Sequence, residues 1–218
     1  MKTLGNFLLD SDDSERIERK FRMNRGQGNL AEWVIKKNLF REIYAQRKVV
    51  SIYFDDIELT SLRDNIDGNP YRDKFRIRWY DDNYNTAKIE IKHKRYIVGY
   101  KTTIDIAKNL QSKIEVIEYA QKWVDCNLNK KYFPVAQIEY QRRYYAKGSI
   151  RCTIDKKIQS GRYINGEVLT AAKEYEVVEF KYFKSDDSNF RSLYGEMSDI
   201  AIRATKSSKY SQALLPVG

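Results

Sequence analysis

Lys74-Phe75-Arg76-Ile77-Arg78-Trp79-Tyr80 is the stretch on which the reading of the fold turns. Arg76 and Arg78 stand two positions apart among apolar and aromatic residues. A β-strand sends successive side chains to opposite faces, so this spacing puts both guanidinium groups on one face. The pattern recurs along the chain. Lys20 and Arg22 show it in I-E-R-K-F-R-M (17–23), and Lys92 and Lys94 in K-I-E-I-K-H-K (88–94). Arg142 lies in Q-I-E-Y-Q-R-R-Y-Y (137–145) and Lys181 in E-V-V-E-F-K-Y-F (176–183). Five strands with a cationic face cannot all press that face into an apolar core, because an unpaired charge in a dry interior costs several kcal/mol. A barrel with a wet, positive interior and its apolar residues turned outward against helices removes the conflict. Its natural occupant is a polyanion.

Working outward, Asp81-Asp82-Asn83 turns the chain back from a strand over 73–81 into one over 87–98. Asp67-Gly68-Asn69-Pro70 is the turn that leads in. The pattern further predicts strands over 15–25, 49–55, 134–146, 149–160 and 174–184, with Lys147-Gly148 as a short turn. Asn29 reads as the cap of a helix running through A-E-W-V-I-K-K-N-L-F-R-E-I-Y (31–44). Ile104, Ala107, Leu110, Ile114, Ile117 and Val124 give a stripe for a helix over 103–127. A C-terminal helix is expected from about 189 to 207. Strands with interspersed helices make an antiparallel α+β barrel.

A chain of 218 residues fits one domain. Its formal charge of +10 and pI near 9.4 call for an acidic partner. Ten basic residues are assigned to the interior (Lys20, Arg22, Arg76, Arg78, Lys92, Lys94, Arg142, Arg151, Lys181 and Lys209), with the acids Glu18, Glu90 and Glu179. That leaves the outside nearly neutral, so no nucleic-acid partner is expected. Cys126 and Cys152 make neither a disulfide framework nor a zinc pattern. No leader peptide or membrane span is legible, and a cytoplasmic location is the expectation.

Seven motifs stand in one order: E-x-K at Glu18/Lys20, R-x-R at Arg76/Arg78, E-x-K-x-K at Glu90/Lys92/Lys94, Y-x-R-x-Y at Tyr140/Arg142/Tyr144, R-x-T-x-D at Arg151/Thr153/Asp155, E-x-K at Glu179/Lys181 and S-K-Y at Ser208/Lys209/Tyr210. In these the chain resembles the VTC domain, the polyphosphate-polymerase branch of the triphosphate tunnel metalloenzymes, which also include the CYTH phosphatases and cyclases. The resemblance covers residues 15–212 of a single domain over 1–218. It implies an eight-stranded antiparallel β-barrel flanked by helices, a nucleoside triphosphate and polyphosphate as partners, and Mn²⁺ or Mg²⁺ as cofactor. Carried over by position, it makes Lys20, Arg76, Arg78, Lys92, Arg142, Arg151, Lys181 and Lys209 phosphate ligands. Of these, Lys92, Arg142, Arg151 and Lys209 would be catalytic, Lys92 gripping the donor phosphates with Arg76 and Arg78 and the other three supporting the transferring group. Arg22, Lys94, Tyr140 and Ser208 would add to substrate binding. Glu179 would be the main metal ligand, with Glu18 beside it.

One departure bears on the branch. Hydrolytic and cyclase members open with E-x-E-x-K, whereas this chain has Arg16, Glu18 and Lys20. Losing a carboxylate weakens a two-metal site that activates water, so transfer to a phosphate acceptor is expected over hydrolysis. A metal-dependent tripolyphosphatase or triphosphatase, and a non-catalytic polyphosphate- or nucleotide-binding module, remain the alternatives. Other residues have blander readings. Glu90 reads as a salt-bridge partner and Asp155 as structural. Tyr140 and Tyr144 serve equally as wall or as phosphate donors. His93 and Cys152 alternate outward, and Asp55-Asp56 reads as a turn.

Overall fold

The computed structural model describes residues 16–96, 98–106, 109–128, 130–164, 166–199, 204–205 and 208–215. The alternation that begins at Lys74 builds β3 (Tyr71–Tyr80), in which Phe75, Ile77 and Trp79 are buried while Arg76 and Arg78 occupy the opposite face. β3 is flanked by β2 (Arg41–Asp55) and β4 (Asn83–Arg95), and β5 (Val98–Asp105) follows β4. The other wall holds β1 (Arg16–Asn24), β6 (Phe133–Lys147), β7 (Ile150–Ile164) and β10 (Tyr175–Phe183), with two-residue strands β8 (Glu167–Val168) and β9 (Ala171–Ala172) on β7. The sheet is antiparallel and runs β1-β10-β7-β6-β2-β3-β4-β5.

The expected closed barrel of eight strands is corrected here. Ten strands are present among the described residues, and the edge strands β1 and β5 are not hydrogen-bonded to each other. The free edge of β1 is used otherwise: Ala204 bridges to Phe21, and the Thr205 N–H donates to the Lys20 carbonyl at 2.8 Å. Those backbone groups are spent before a closing strand could take them. The sheet still curls far enough for side chains to meet across the seam, where Lys92 Nζ of β4 lies 3.9 Å from a Glu18 oxygen of β1.

Helices cover the convex side. α1 (Gln27–Lys37) and α4 (Asp187–Asp199) pack on Phe21, Cys152, Ile154, Val178 and Phe180. α3 (Lys113–Asn127) packs Val116, Ala120 and Val124 against Ile52, Phe75, Ile77 and Ile89. The third apolar cluster is on the concave side. There α5 (Lys209–Leu214) sets Tyr210, Ala213 and Leu214 on Val49, Tyr53, Ala136, Ile138 and Val177. The interior is therefore cationic along part of its length and dry under α5. Asp55, which is fully buried, fixes this plug: it accepts from the Ser61 and Leu62 N–H groups of α2 (Thr60–Ile66) at 3.0 Å and from the Tyr210 hydroxyl at 2.5 Å.

Several helix boundaries differ from the sequence reading. α1 starts at Gln27 behind Gly26, whose φ of 93° suits glycine. Asn29 instead accepts from Lys156 Nζ at 2.7 Å. Leu39 at φ 64° breaks the chain after α1, and residues 41–44 join β2. The stretch expected as one helix from 103 to 127 begins as strand, because Thr102-Thr103-Ile104 is a β-branched run. α3 starts at Lys113, with Ser112 Oγ accepting from the Glu115 N–H at 3.2 Å and the Glu115 carboxylate accepting from the Gln111 N–H at 3.0 Å. Ala107, and residues 200–203 and 206–207 of the expected C-terminal helix, lie outside the described residues. No helix among the described residues is long and apolar enough to cross a membrane.

Candidate functional site

Three carboxylate-centred clusters line the concave face. In the first, Glu90 of β4 accepts from Arg76 Nε at 2.7 Å and from Lys101 Nζ of β5 at 2.8 Å, with Arg78 at 3.7 Å. Arg76 also donates to the Tyr53 hydroxyl at 2.8 Å, and Arg78 to Ser51 Oγ at 3.0 Å and the Tyr140 hydroxyl at 3.2 Å. Burial pushes the Glu90 pKa up, but the two guanidinium groups and Lys101 outweigh it and hold the carboxyl well below its usual range.

The second cluster joins β1 to β10, where Lys20 opposes Glu179 and Glu18 opposes Lys181 in register. Lys20 Nζ contacts Glu18 and lies 3.6 Å from Glu179. Lys181 Nζ lies 3.3 Å from Glu18 and 3.5 Å from Glu179. Burial and the neighbouring Glu179 raise the Glu18 pKa, yet Lys92, Lys20 and Lys181 bring it down to about 2. Glu179 is likewise raised by burial and drawn well below the ordinary range by Lys20, Lys181, Arg142 and Lys209. The Lys92 side chain is 55% exposed, but to the lumen. The surrounding walls pull its pKa down through desolvation, against the opposing pull of Glu18.

The third cluster is centred on Asp155 of β7, which is 1% exposed. Arg142 grips it with Nε to Oδ1 at 2.6 Å and Nη2 to Oδ2 at 2.8 Å, and Lys209 Nζ reaches Oδ2 at 2.5 Å. The Tyr140 ring lies beneath both cations, 5.0 Å from Arg142 and 4.9 Å from Lys209. Tyr140 is thus wall and hydrogen-bonding group together. Tyr144 packs edge-on against Tyr44 instead.

Lys74 was missed in the sequence although it opens the stretch that decides the fold. Its Nζ meets the Ser208 hydroxyl at 3.2 Å. Desolvation, then Lys92, Lys20, Arg72 and Arg76, pull its pKa down to about 7. The signal was the same period-two spacing, extended one step back from Arg76. Lys101, the third partner of Glu90, lay between the strand expected to end at 98 and the helix expected from 103.

Other expected residues stand apart. Arg22 is exposed and lies over the Tyr175 ring, 4.3 Å from its centroid. Arg151 is exposed at the rim, in register with Lys181. Lys94 is half-buried on the Lys92 side of β4, opposite Arg72. Cys152 is buried under the outer helices. His93 faces outward, with Nδ1 2.8 Å from Asp73 and Nε2 3.1 Å from the Thr102 hydroxyl. A cavity of about 370 Å³ beside α2 includes Asp64, Arg72, Asp73, Arg95 and Lys130. Arg95 and Asp73 there neutralise each other and Lys130 is turned to Asp56, so the cavity does not rival the concave face.

An antiparallel sheet curled about a cationic inner face, with α1, α3 and α4 outside, defines a fold of the triphosphate tunnel type. The chain belongs to the VTC domain family, whose profile matches residues 15–217. Solved structures share the fold at low identity. A candidate adenylate cyclase from Vibrio parahaemolyticus is 12% identical with a TM-score of 0.55, over 93% of this chain and 99% of that one. A candidate adenylyl cyclase from Hippeastrum, described as having a dominant triphosphatase activity, is 13% identical with a TM-score of 0.53, over 92% and 98%. A candidate adenylate cyclase from Bacillus halodurans is 10% identical with a TM-score of 0.51, over 91% and 97%. The comparison with curated proteins returned no match.

Proposed function

We propose that the concave face binds the phosphate chain of a nucleoside triphosphate and transfers its γ-phosphate to a growing polyphosphate. The observation that carries this reading is the charge imbalance of the inner face. Among the described residues, Lys20, Arg76, Arg78, Lys92, Lys101, Arg142, Lys181 and Lys209 pair with four carboxylates, those of Glu18, Glu90, Asp155 and Glu179, and Lys74 contacts the Ser208 hydroxyl. A bound polyanion supplies the missing negative charge. Phosphoryl transfer asks for positioning and charge neutralisation rather than a covalent intermediate. Two unit charges 4 Å apart attract by ~1 kcal/mol in bulk water but ~4 kcal/mol at the lower effective dielectric near protein, so enclosure strengthens each contact.

The residues fit a divalent metal of the Mg²⁺ or Mn²⁺ kind. Among the described residues no three acidic, His or Cys side chains gather as a cage. Glu179 and Glu18 nevertheless form a carboxylate pair, and such ions take one or two carboxylates, with phosphate oxygens and water completing the shell. When bound there, the ion supplies charge neutralisation to the transferring phosphoryl group. Arg76, Arg78 and Lys92 hold the donor phosphates. Arg142 and Lys209, aligned by Asp155, steady the group in transit, and Tyr140 orients both.

The test is purified protein with ATP and Mn²⁺ or Mg²⁺, measured for polyphosphate, ADP and free phosphate. Polyphosphate with matching ADP is expected. Free phosphate without chains would make the protein a triphosphatase. Binding without turnover under either metal would make it a polyphosphate receptor.

A further inference from the structure

Lys74 differs from eight other inner cations. Lys20, Arg76, Arg78, Lys92, Lys101, Arg142, Lys181 and Lys209 each lie within 4 Å of a carboxylate. The contact found for Lys74 is a neutral hydroxyl, Ser208 Oγ at 3.2 Å. The charged groups that weigh most on it are cations: Lys92, its register partner on β4, Lys20 of β1, and Arg72 and Arg76 of its own strand. The nearest acid in register, Asp55, lies one step beyond the Phe54–Phe75 pair, and its oxygens are taken by α2 and Tyr210. A hydroxyl can donate to the lone pair of a neutral amine or accept from an ammonium, so Ser208 serves Lys74 in both states.

We infer that Lys74 and Ser208 form a phosphate-oxygen subsite at the α5 end of the tunnel, and that Lys74 takes up a proton as phosphate binds. The step balances simply. The amine lone pair forms a new N–H bond with a proton from the solvent buffer, and no bond of the ligand breaks. Phosphate oxygens place negative charge among cations that otherwise repel the ammonium, which makes the charged form the favoured one. The depressed pKa of Lys74, about 7, agrees with this geometry. The inference rests on the phosphate-tunnel reading and adds to it a named ligand and a coupling of affinity to pH.

The experiment measures proton uptake when tripolyphosphate binds the full chain, by calorimetry in buffers of differing ionisation heat, for wild type, Lys74→Arg and Lys74→Met. Titration of tripolyphosphate itself cancels between the proteins. Wild type should take up a further fraction of a proton at neutral pH, approaching one as pH rises, while Lys74→Arg binds without that excess. Relative to Lys74→Arg, wild-type affinity should fall above neutrality by up to about tenfold per pH unit. Lys74→Met should bind more weakly than either, again without the excess. Lysine-labelled NMR of the empty protein should show a near-neutral titration that is absent from Lys74→Arg. If Lys74→Arg and wild type bind equally well with equal proton uptake, the inference is overturned and the tunnel reading stands. If wild type binds no tripolyphosphate, both fall together.

Discussion

Arg142 and Asp155 oppose each other across β6 and β7 in a two-point contact, and Lys209 of α5 closes on the same carboxylate. A single buried acid therefore fixes where two cations stand. Asp155→Ala leaves both charges without their partner, a change expected to cost about 3–5 kcal/mol of stability, measurable by urea unfolding. Tripolyphosphate offers the charge that the variant lacks. It should raise the melting temperature of Asp155→Ala more than that of wild type. Equal increments would place Arg142 and Lys209 out of the ligand's reach.

The same carboxylates set the acid limit of the fold. Glu18, Glu90, Asp155 and Glu179 all have pKa values depressed below the unfolded range, each against the opposing pull of burial. A depressed carboxylate contributes stability that is present above its unfolded pKa and lost as pH falls through its folded one. For Glu18 that window runs from 4.5 down to about 2. Thermal melting should drop steeply across this range, and sulfate should soften the drop by pairing the cations left behind. A melting temperature flat from pH 5 to about pH 2 would contradict the coupling.

Glu179 lies at the join of β1 and β10, facing Lys20 in register. Glu179→Gln keeps the size of the side chain and removes its charge. If Glu179 holds the metal, turnover should fall by roughly a hundredfold or more, comparable to loss of a key electrostatic group. Tripolyphosphate binding measured without metal should survive. Parallel loss of both would instead make Glu179 a structural anchor for Lys20 and Lys181.

Much of this site was legible because a strand's period is two. Once Arg76 and Arg78 share a face, pairing carries Glu90 and the β4 lysines to the same side. Asp155 reads as structural in the sequence, but which cation it holds is visible only in the β6–β7 register, which sets it opposite Arg142. Lys101 was obscured because Ile104 and Leu110 suggested a helical stripe, whereas its β-branched neighbours favoured strand. The open seam was not legible. It depends on Ala204 and Thr205 returning to the edge of β1, a contact more than 180 residues away in sequence that no local pattern encodes. Nor was the dry end under α5, which needs Tyr210 stacked on Tyr53 with centroids 4.8 Å apart.

The last expectation concerns the cost of keeping Lys74 in the empty protein. Desolvation and four neighbouring cations lower its pKa from 10.5 to about 7. The unfolded chain thus binds the proton more tightly than the folded one, and stability falls as pH drops from 10.5 to about 7, levelling below. Lys74→Met removes the amine while keeping a long, flexible side chain. Without ligand it should melt above wild type at neutral pH, with the difference widest below pH 7 and closing toward pH 10.5. With saturating tripolyphosphate the order should shrink or reverse, because only wild type gains the phosphate contact. A variant less stable than wild type at every pH, with or without ligand, would mean that Lys74 serves packing rather than phosphate.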